Sequence, residues 1–414
     1  MENMISAESL EKLYGKGAED QLARYEELIS LFNDFFGKQE KLRFYSAPGR
    51  SEICGNHTDH QRGKALAASV NLDTIAAVHP TGSMRVRVMS RGHLLIDIDL
   101  LDLQMREEEK GNSPSLVRGV AAGFVARGMK VGGFDAYTLS NVYSGSGLSS
   151  SAAFEILIGT IFNDLFNDDK ADPVTLARIG QEAENDYFGK PSGLLDQLAC
   201  SVGGLISIDF ENIREPLVEK LEIDFNSFEY SLCIVKTDGS HADLTDDYAM
   251  VPAEMRSVAG YFGKEVLREV DEHEFYKNLP EIRSLFGDRP VLRAAHFFNE
   301  NRRVEEEKKA LASGYFECFK ALVIESGRSS FEYLQNVFSS KRPEEEALAT
   351  ALMLSERLLK GKGAWRVHGG GFAGTIQAFV PQAMAPLYKA EMEKIPGFTC
   401  SALSIRPCGG IRVI

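Results

Sequence analysis

The nine residues 145–153 constrain the fold of this chain more than any other part of its sequence. They read Gly-Ser-Gly-Leu-Ser-Ser-Ser-Ala-Ala, and residues 154–161 continue with the composition and apolar spacing of a helix. A Gly/Ser loop that opens a helix leaves backbone N–H groups unpaired and faces the positive end of the helix dipole. The segment therefore predicts a phosphate-binding turn, with a flexible linker and a serine N-cap as the alternative interpretation. It is not a Walker loop, because no Gly-Lys-Ser/Thr follows.

The composition is that of a globular protein with an acidic surface. Hydrophobic residues make up 44% of the 414 residues, charged residues 26%, and the net charge is −14. This charge disfavours nucleic acid and anionic membranes as main partners, since both select basic surfaces. No signal segment is recognisable, and no apolar run approaches the roughly 20 residues that cross a bilayer, so we expect a cytoplasmic protein. Six cysteines without a Cys-x-x-Cys pair predict reduced thiols.

Predicted helices and strands alternate without the regular rhythm of a doubly wound sheet, which indicates an α+β fold. A polar, proline-containing stretch near residues 209–222 predicts a boundary between two domains, 1–215 and 216–414. The predicted helices are 22–36, 115–127, 151–163, 173–187 and several pieces between 243 and 355. The predicted strands are 44–47, 70–78, 84–89, 94–100, 133–140, 205–210 and 230–236, with a strand–turn–strand unit over 365–380.

Residues 47–60 are the segment richest in hydrogen-bonding side chains. They contain Arg50, two histidines and Asp59 between glycines. Such density suits the recognition of a polyol, because a sugar needs donors and acceptors at fixed angles. A polar loop whose side chains satisfy one another is the alternative interpretation.

Two other segments combine glycines with reactive side chains. Glu182 and Glu184 precede the apolar run 193–198, in which Asp196 must be either paired or functional. For Asp196, a helix N-cap or a buried ion pair is the structural alternative. Residues 368–374, His-Gly-Gly-Gly-Phe-Ala-Gly, join two strand-like stretches and are predicted as a hairpin turn or as part of a site.

These segments follow the order of the galacto-/homoserine/mevalonate/phosphomevalonate (GHMP) kinase superfamily, and residues 44–380 resemble its galactokinase branch. The serine-rich loop resembles the phosphate-binding motif, residues 369–371 the third motif, and residues 47–60 the sugar signature. Ser240-His241 with Tyr248 resembles another galactokinase segment. The resemblance implies a two-domain fold with the active site in the interdomain cleft. It further implies a sugar 1-kinase that uses ATP and Mg²⁺, has only these small molecules as partners, and is a monomer or weak homodimer.

The resemblance also assigns roles to single residues. Asp196 matches the aspartate beside the reacting hydroxyl, whose proton it would accept, and Arg50 matches its partner arginine. Ser151 and Glu184 match the magnesium positions, and both offer the oxygen donors that a hard cation requires. The sugar-binding set is Asn56, His57, Asp59, His60, Gly193 and Tyr248. The nucleotide-binding set is Gly145, Ser146, Gly147, Leu148, Ser149, Ser150, Ser151, Gly370 and Gly371.

Two positions in the sugar signature depart from the galactokinase pattern. Asn56 stands where galactokinases usually have Glu, and His60 where they have Tyr. In galactokinases that Glu normally faces the C6 hydroxyl of the sugar, and a uronic acid carries a carboxylate at C6. The two carboxylates, about 4 Å apart, would repel each other by about 4 kcal/mol at an effective dielectric of about 20. Asn56 removes that repulsion, and His60, Arg62 or Lys64 could hold the acid, as the similarity to plant-type galacturonate kinases also implies. The predicted substrate is therefore either galactose, favoured by the overall resemblance, or galacturonate, favoured by Asn56 and His60.

The sequence leaves the nucleotide preference and the class of function open to alternatives. Ser113 and Leu116 occupy the stretch where many galactokinases have aromatic residues near adenine, so the sequence defines the nucleotide preference less well than the fold. A sugar sensor without turnover is a second hypothesis, and a mevalonate-type or homoserine kinase, whose branches lack a segment like 55–60, is a third. The complete catalytic set favours an enzyme: Arg50, Ser151, Glu184 and Asp196.

Overall fold

A computed structural model of the chain describes residue 5 and residues 7–142, 147–238 and 244–413. Within these ranges the strands are β1 Arg43–Cys54, β2 Lys64–Pro80, β3 Arg85–Ser90, β4 Ile96–Asp99, β5 Phe134–Ser140, β6 Leu205–Asp209, β7 Leu217–Leu221, β8 Tyr230–Lys236, β9 Ala364–His368, β10 Thr375–Pro381, β11 Thr399–Leu403 and β12 Ile411–Arg412. The helices are α1 Ala7–Tyr14, α2 Ala18–Phe36, α3 Ser113–Ala126, α4 Ser150–Asn167, α5 Pro173–Glu182, α6 Leu195–Val202, α7 Thr245–Tyr261, α8 Glu272–Lys277, α9 Leu279–Phe286, α10 Asp288–Ala312, α11 Phe316–Ser329, α12 Ala347–Leu359 and α13 Ala385–Met392.

The first sheet has the strand order β12-β1-β2-β5-β3-β4, and two further strands extend it, because β6 pairs with β2 and β7 pairs with β6. All pairs are antiparallel except β3 with β5. Residues that alternate along β2 enter different cores, as strand geometry requires. Ala76 and Val78 pack with α3 and α4, whereas Ile75 and Ala77 pack with α2. Helices therefore cover both faces of this sheet.

The second sheet is antiparallel, with the order β11-β8-β10-β9. Cys233 and Val235 of β8 face the core that contains α12 and α13, and Ile234 faces the core that contains α11. The α11 core also contains Leu66 and Ala68 of β2. The two sheets thus contribute apolar side chains to one core. This packing places the turn between β9 and β10 near β1, where Ser51 Oγ is hydrogen-bonded to His368 Nε2.

The structure confirms most predicted elements and corrects two. The strand predicted over 44–47 runs on through Pro48 and Gly49 to Cys54. Proline is tolerated there because the pairing with β2 shifts register between Pro48 and Arg50, as at a β-bulge. The helix predicted over 173–187 is α-helical only to Glu182 and continues as the π-helical segment Ala183–Phe188.

Some predictions lie beyond what the structure describes. Gly145, Ser146, Ser240 and His241 fall outside the described residues. Within the stretch 209–222, predicted as a domain boundary, residues 210–216 connect β6 to its antiparallel partner β7. The division into 1–215 and 216–414 stays a prediction. In the described part of the chain, no helix has the length and apolar character needed to traverse a bilayer.

Candidate active site

Asp196 is held at the centre of the site by Arg50 and Ser149. The carboxylate lies in the first turn of α6 and accepts from Arg50 Nε at 2.7 Å and from Arg50 Nη2 at 2.8 Å. Ser149 Oγ donates to Oδ2 of the same carboxylate, and Arg50 Nη1 donates to the Gly147 carbonyl. The bidentate pair fixes the plane of the carboxylate. The predicted catalytic pair and the serine-rich turn therefore belong to one site.

The electrostatic environment keeps Asp196 anionic. Burial by itself raises the pKa of the Asp196 carboxyl, but the Arg50 guanidinium and the Ser149 hydroxyl outweigh it and leave the pKa below its ordinary value. The side chain is still 28% exposed. Asp196 thus offers a charged oxygen to a ligand that enters the site.

The turn before α4 is shaped by close backbone packing. Gly147 has a φ of 72°, and a Cβ there would lie 3.1 Å from His368 Nδ1. The Leu148 carbonyl accepts from the Arg50 backbone N–H at 3.0 Å. Ser149 has a φ of 57° at the N-cap position and makes no capping hydrogen bond, because its hydroxyl points to Asp196. The amino terminus of α4 therefore keeps N–H groups for an anion.

Glu184 lies beside this helix terminus and has four side-chain donors. Its Oε1 accepts from Ser151 Oγ at 2.8 Å and from Lys190 Nζ at 2.7 Å. Its Oε2 accepts from Ser192 Oγ at 2.6 Å and from Gln197 Nε2 at 3.0 Å. The side chain is only 1% exposed and belongs to the π-helical segment, a type of distortion often found at functional sites. The two residues predicted as metal ligands are thus in direct contact.

The donor set at Glu184 fits a cation. Two oxygen ligands of different residues, Ser151 Oγ and Glu184 Oε1, converge, and the Lys190 ammonium already lies against the shared carboxylate oxygen. A hard divalent ion selects such oxygen donors.

Asn56 is completely buried, and its side-chain amide is hydrogen-bonded to four other residues of the protein. Its Nδ2 donates to Glu52 Oε1 at 3.1 Å and to the Gly369 carbonyl at 2.5 Å. Its Oδ1 accepts from Asn336 Nδ2 at 2.8 Å and from Ser330 Oγ at 3.4 Å. The amide predicted to face a sugar therefore ties the sugar signature to the glycine-rich turn.

His57 and His60 form a neutral hydrogen-bonded chain. His57 Nε2 donates to the Gly370 carbonyl at 2.9 Å, so its Nδ1 accepts from His60 Nε2 at 3.3 Å, and His60 Nδ1 accepts from Gln61 Nε2 at 3.4 Å. Burial lowers the pKa of both imidazoles, that of His60 far below its usual range. This chain rigidifies the loop and leaves both imidazoles uncharged.

Asp59 lies where the sugar signature meets the segment before α6. Its Oδ1 accepts from the His60 backbone N–H at 2.9 Å, and a Cβ at Gly193 would collide with its Oδ2. Burial raises the pKa of the Asp59 carboxyl, and the negative charge of Asp196 raises it further. The glycine at 193 therefore lets a second carboxylate approach Asp196.

The glycine-rich turn is positioned by Tyr248 and Asn336. Tyr248 Oη donates to the Gly371 carbonyl at 2.8 Å, and a Cβ at Gly370 would lie 2.6 Å from the Tyr248 ring. Gly371 has a φ of 79°, and a Cβ there would collide with the Asn336 carbonyl. Close backbone approach explains why this turn needs glycine.

Arg62 and Lys64, predicted as candidates to bind a uronate carboxylate, form ion pairs with acidic residues of the protein. Arg62 forms ion pairs with Glu265 at 2.6 Å and Glu269 at 2.8 Å. Lys64 Nζ lies 2.8 Å from Glu305 Oε1 and 3.5 Å from an oxygen of Asp209.

A buried network beneath the sugar signature was not found by sequence reasoning. Glu300 Oε1 accepts from the backbone N–H groups of Gly55 at 3.2 Å and Asn56 at 3.4 Å, and from Ser326 Oγ at 2.6 Å. His296 Nε2 donates to the Asn56 carbonyl at 2.9 Å. These side chains lie on α10 and α11, two helices to which the sequence analysis assigns no site residue. Charged residues in a predicted core helix are the signal that could have identified them.

Two models of protein families match parts of this chain. Residues 115–204 match the model of the GHMP kinases N terminal domain, and residues 30–80 match the galactokinase galactose-binding signature. A galactokinase of Lactobacillus helveticus is 30% identical over 379 residues, which cover 89% of this chain and 93% of that protein.

Solved structures show the same fold. The galactose complex of Lactococcus lactis galactokinase superposes with a TM-score of 0.79 at 24% identity, covering 94% of this chain and 100% of that one. Mevalonate kinase of Methanococcus jannaschii gives a TM-score of 0.62 at 12% identity, covering 89% and 99%. The identity and coverage of the Lactobacillus helveticus relative, with the two matching models, show that the chain belongs to the galactokinase family of GHMP kinases and is a phosphotransferase with an alcohol group as acceptor.

Proposed function

We propose that the protein transfers the terminal phosphoryl group of ATP to the anomeric hydroxyl of galactose or a close analogue and releases the sugar 1-phosphate. One observation carries this proposal: the Asp196 carboxylate is hydrogen-bonded to the turn that opens α4. An acceptor hydroxyl held by Asp196 is then adjacent to phosphates held at the amino terminus of α4.

Arg50 and Asp196 have different roles at the sugar hydroxyl that accepts the phosphoryl group. Arg50 keeps Asp196 ionised and fixes its orientation, so that the carboxylate accepts a hydrogen bond from the sugar hydroxyl and aims its oxygen at the phosphorus. Phosphoryl transfer passes through a loose transition state, so the hydroxyl proton leaves late and a weak base such as Asp196 suffices to receive it. Backbone N–H groups of α4 stabilise the charge on the phosphoryl oxygens.

Ser151 and Glu184 are proposed to hold Mg²⁺. An ion held by these two residues would supply positive charge to the phosphate oxygens. Glu184 contributes the charged ligand, and its Oε2 stays fixed by Ser192 and Gln197.

The charges near the sugar signature support a neutral sugar. A uronate needs a cation for its carboxylate, whereas burial keeps the His60 imidazole uncharged. Arg62 and Lys64 are paired with carboxylates. Asp59 offers an acceptor for sugar hydroxyls.

Galacturonate is the second candidate substrate, because position 56 carries an amide instead of the usual acid. Steady-state kinetics with both sugars at one ATP concentration decide between them. We expect a kcat/KM for galactose at least about tenfold above that for galacturonate, which equals about 1.4 kcal/mol of transition-state discrimination. The reverse ratio overturns the choice of sugar, and no sugar-dependent ADP release from either sugar overturns the proposed function.

A further inference from the structure

Lys190 has no role in the reaction as proposed, yet its side chain lies in the phosphate-binding half of the site. Its Nζ donates to Glu184 Oε1 at 2.7 Å. The same oxygen accepts at 2.8 Å from Ser151, the second residue of α4. The ammonium is therefore next to the helix terminus at which the phosphates are expected.

The two partners of this ion pair differ in mobility. Glu184 is 1% exposed, and three neutral donors would hold it if the lysine left: Ser151, Ser192 and Gln197. Lys190 is 55% exposed and carries its charge on a flexible four-carbon chain. The lysine can therefore exchange its partner without disturbing the carboxylate.

We propose that Lys190 is a phosphate-binding residue that moves its ammonium from Glu184 to a phosphate oxygen when the nucleotide binds, and so leaves Glu184 to the metal. The inference rests on the proposed function, because it requires a nucleotide at α4. The Gly/Ser loop has no lysine of its own, and Lys190 supplies that charge from another segment. Arg50 cannot do so, since Asp196 and the Gly147 carbonyl hold its guanidinium.

The exchange follows from simple electrostatics. An ammonium and a divalent ion on one carboxylate oxygen repel each other, whereas the phosphates attract the ammonium. A lysine binds phosphate as a point charge and needs no fixed fork geometry, so a half-exposed chain is sufficient.

Calorimetric binding of ADP in excess EDTA tests the inference without metal and without turnover. We expect Lys190→Met to weaken ADP binding by about tenfold or more, the loss of one hydrogen bond to a charged group. The same comparison is made in a Glu184→Gln background, where there is no carboxylate to neutralise. A loss that persists there supports direct phosphate binding. A loss that vanishes there, or no loss in either background, overturns it.

Three controls separate the phosphate contact from other effects. Lys110→Met is the matched variant, because the Lys110 chain also lies against Gly189 while its ammonium donates to the exposed Glu107 at 2.7 Å; ADP binding should not change. Lys190→Arg should retain most of the affinity. Adenosine, which has no phosphate, should bind Lys190→Met like the parent, and an equal loss for adenosine overturns the inference. No ADP binding by the parent protein would instead contradict the proposed function.

Discussion

The sugar side and the phosphate side of this site are built by opposite means. On the sugar side, Asn56 is fully buried, and its amide is hydrogen-bonded to Glu52, Gly369, Ser330 and Asn336. On the phosphate side, Lys190 is 55% exposed. The Ser149 hydroxyl donates to Asp196 and does not cap α4. Buried contacts therefore preorganise the sugar side, whereas the phosphate side has hydrogen-bond donors, the Lys190 ammonium and the N–H groups of α4, that can bind a ligand.

This difference matches the ligands that the two halves are proposed to bind. A neutral sugar is recognised by hydrogen bonds at fixed angles, which requires a rigid loop. A metal–nucleotide brings its own charges, which must be met by groups able to change partners. Asp196 belongs to both halves, and its substitution is the severest test of the comparison.

Replacing Asp196 by Ala should give the largest effect. We expect kcat to fall by about 10³-fold or more, because the acceptor hydroxyl loses its partner and Arg50 loses its anion. Sugar-dependent ADP release measures the rate, and circular dichroism checks the fold. A folded variant within about tenfold of the parent would contradict the role of Asp196.

Replacing Glu300 by Gln tests the rigidity of the sugar side. Glu300 is buried, pairs with Arg303, and lies 3.9 Å from an Arg366 nitrogen. Removing one partner of such a network should lower the free energy of unfolding by about 3 kcal/mol. Urea denaturation measures this, and the KM for sugar should rise while the KM for ATP does not.

The matched control for this variant is Glu305→Gln on the same helix. Glu305 is 35% exposed and pairs with Lys64 at 2.8 Å, so the free energy of unfolding should change by less than about 1 kcal/mol. Equal losses for both glutamates would show that the sugar side has no special buried network.

Replacing Asn56 by Asp sharpens the comparison at one atom pair. The new carboxylate would face Glu52, whose Oε1 accepts from the Asn56 amide at 3.1 Å. Repulsion between the two acids should raise the KM for sugar about tenfold, equivalent to about 1.4 kcal/mol, and leave the KM for ATP unchanged. Adding Glu52→Gln should restore much of the affinity, and a double variant no better than the single one would contradict this pairing.

The pH dependence of stability is the most gradual of these effects. Burial lowers the pKa of His296 to about 4, below its ordinary 6.5, so the unfolded chain takes up the proton first as pH falls. This contribution is complete above pH 6.5 and should be lost between pH 6.5 and about 4, at up to about 1.4 kcal/mol per pH unit. Urea denaturation at several pH values measures the slope, and His296→Gln should flatten it; an unchanged slope would exclude His296 as its source.

Much of the phosphate side could be predicted from the sequence because its signals are local. The glycines before residue 150, the hydroxyls after them and the helical spacing beyond all lie within one short segment, and α4 begins at Ser150. The apolar run around Asp196 predicts an acid that is either paired or functional, and the family resemblance names Arg50 as its partner. The ion pair of Lys190 is not predicted, because nothing in its neighbours along the chain indicates which carboxylate it reaches.

The sugar side shows the limit of the same reasoning. The sequence gives Asn56 as a neutral donor and acceptor, and the resemblance placed it against a ligand. In the structure its backbone carbonyl accepts from a residue 240 positions away, and its amide donates to one 313 positions away. Those partners arrive on α10 and on the turn between β9 and β10, so only tertiary packing selects them.

The amino-acid sequence alone determined the helix after the Gly/Ser loop, the α+β class and the identity of the acid and base groups, because each depends on nearby residues or on the chemistry of one side chain. Tertiary structure alone decided which of those groups are free, paired or buried. The physical reason is that a hydrogen bond or ion pair depends on distance in space, and two layers of sheet and helix set that distance between residues far apart in the chain.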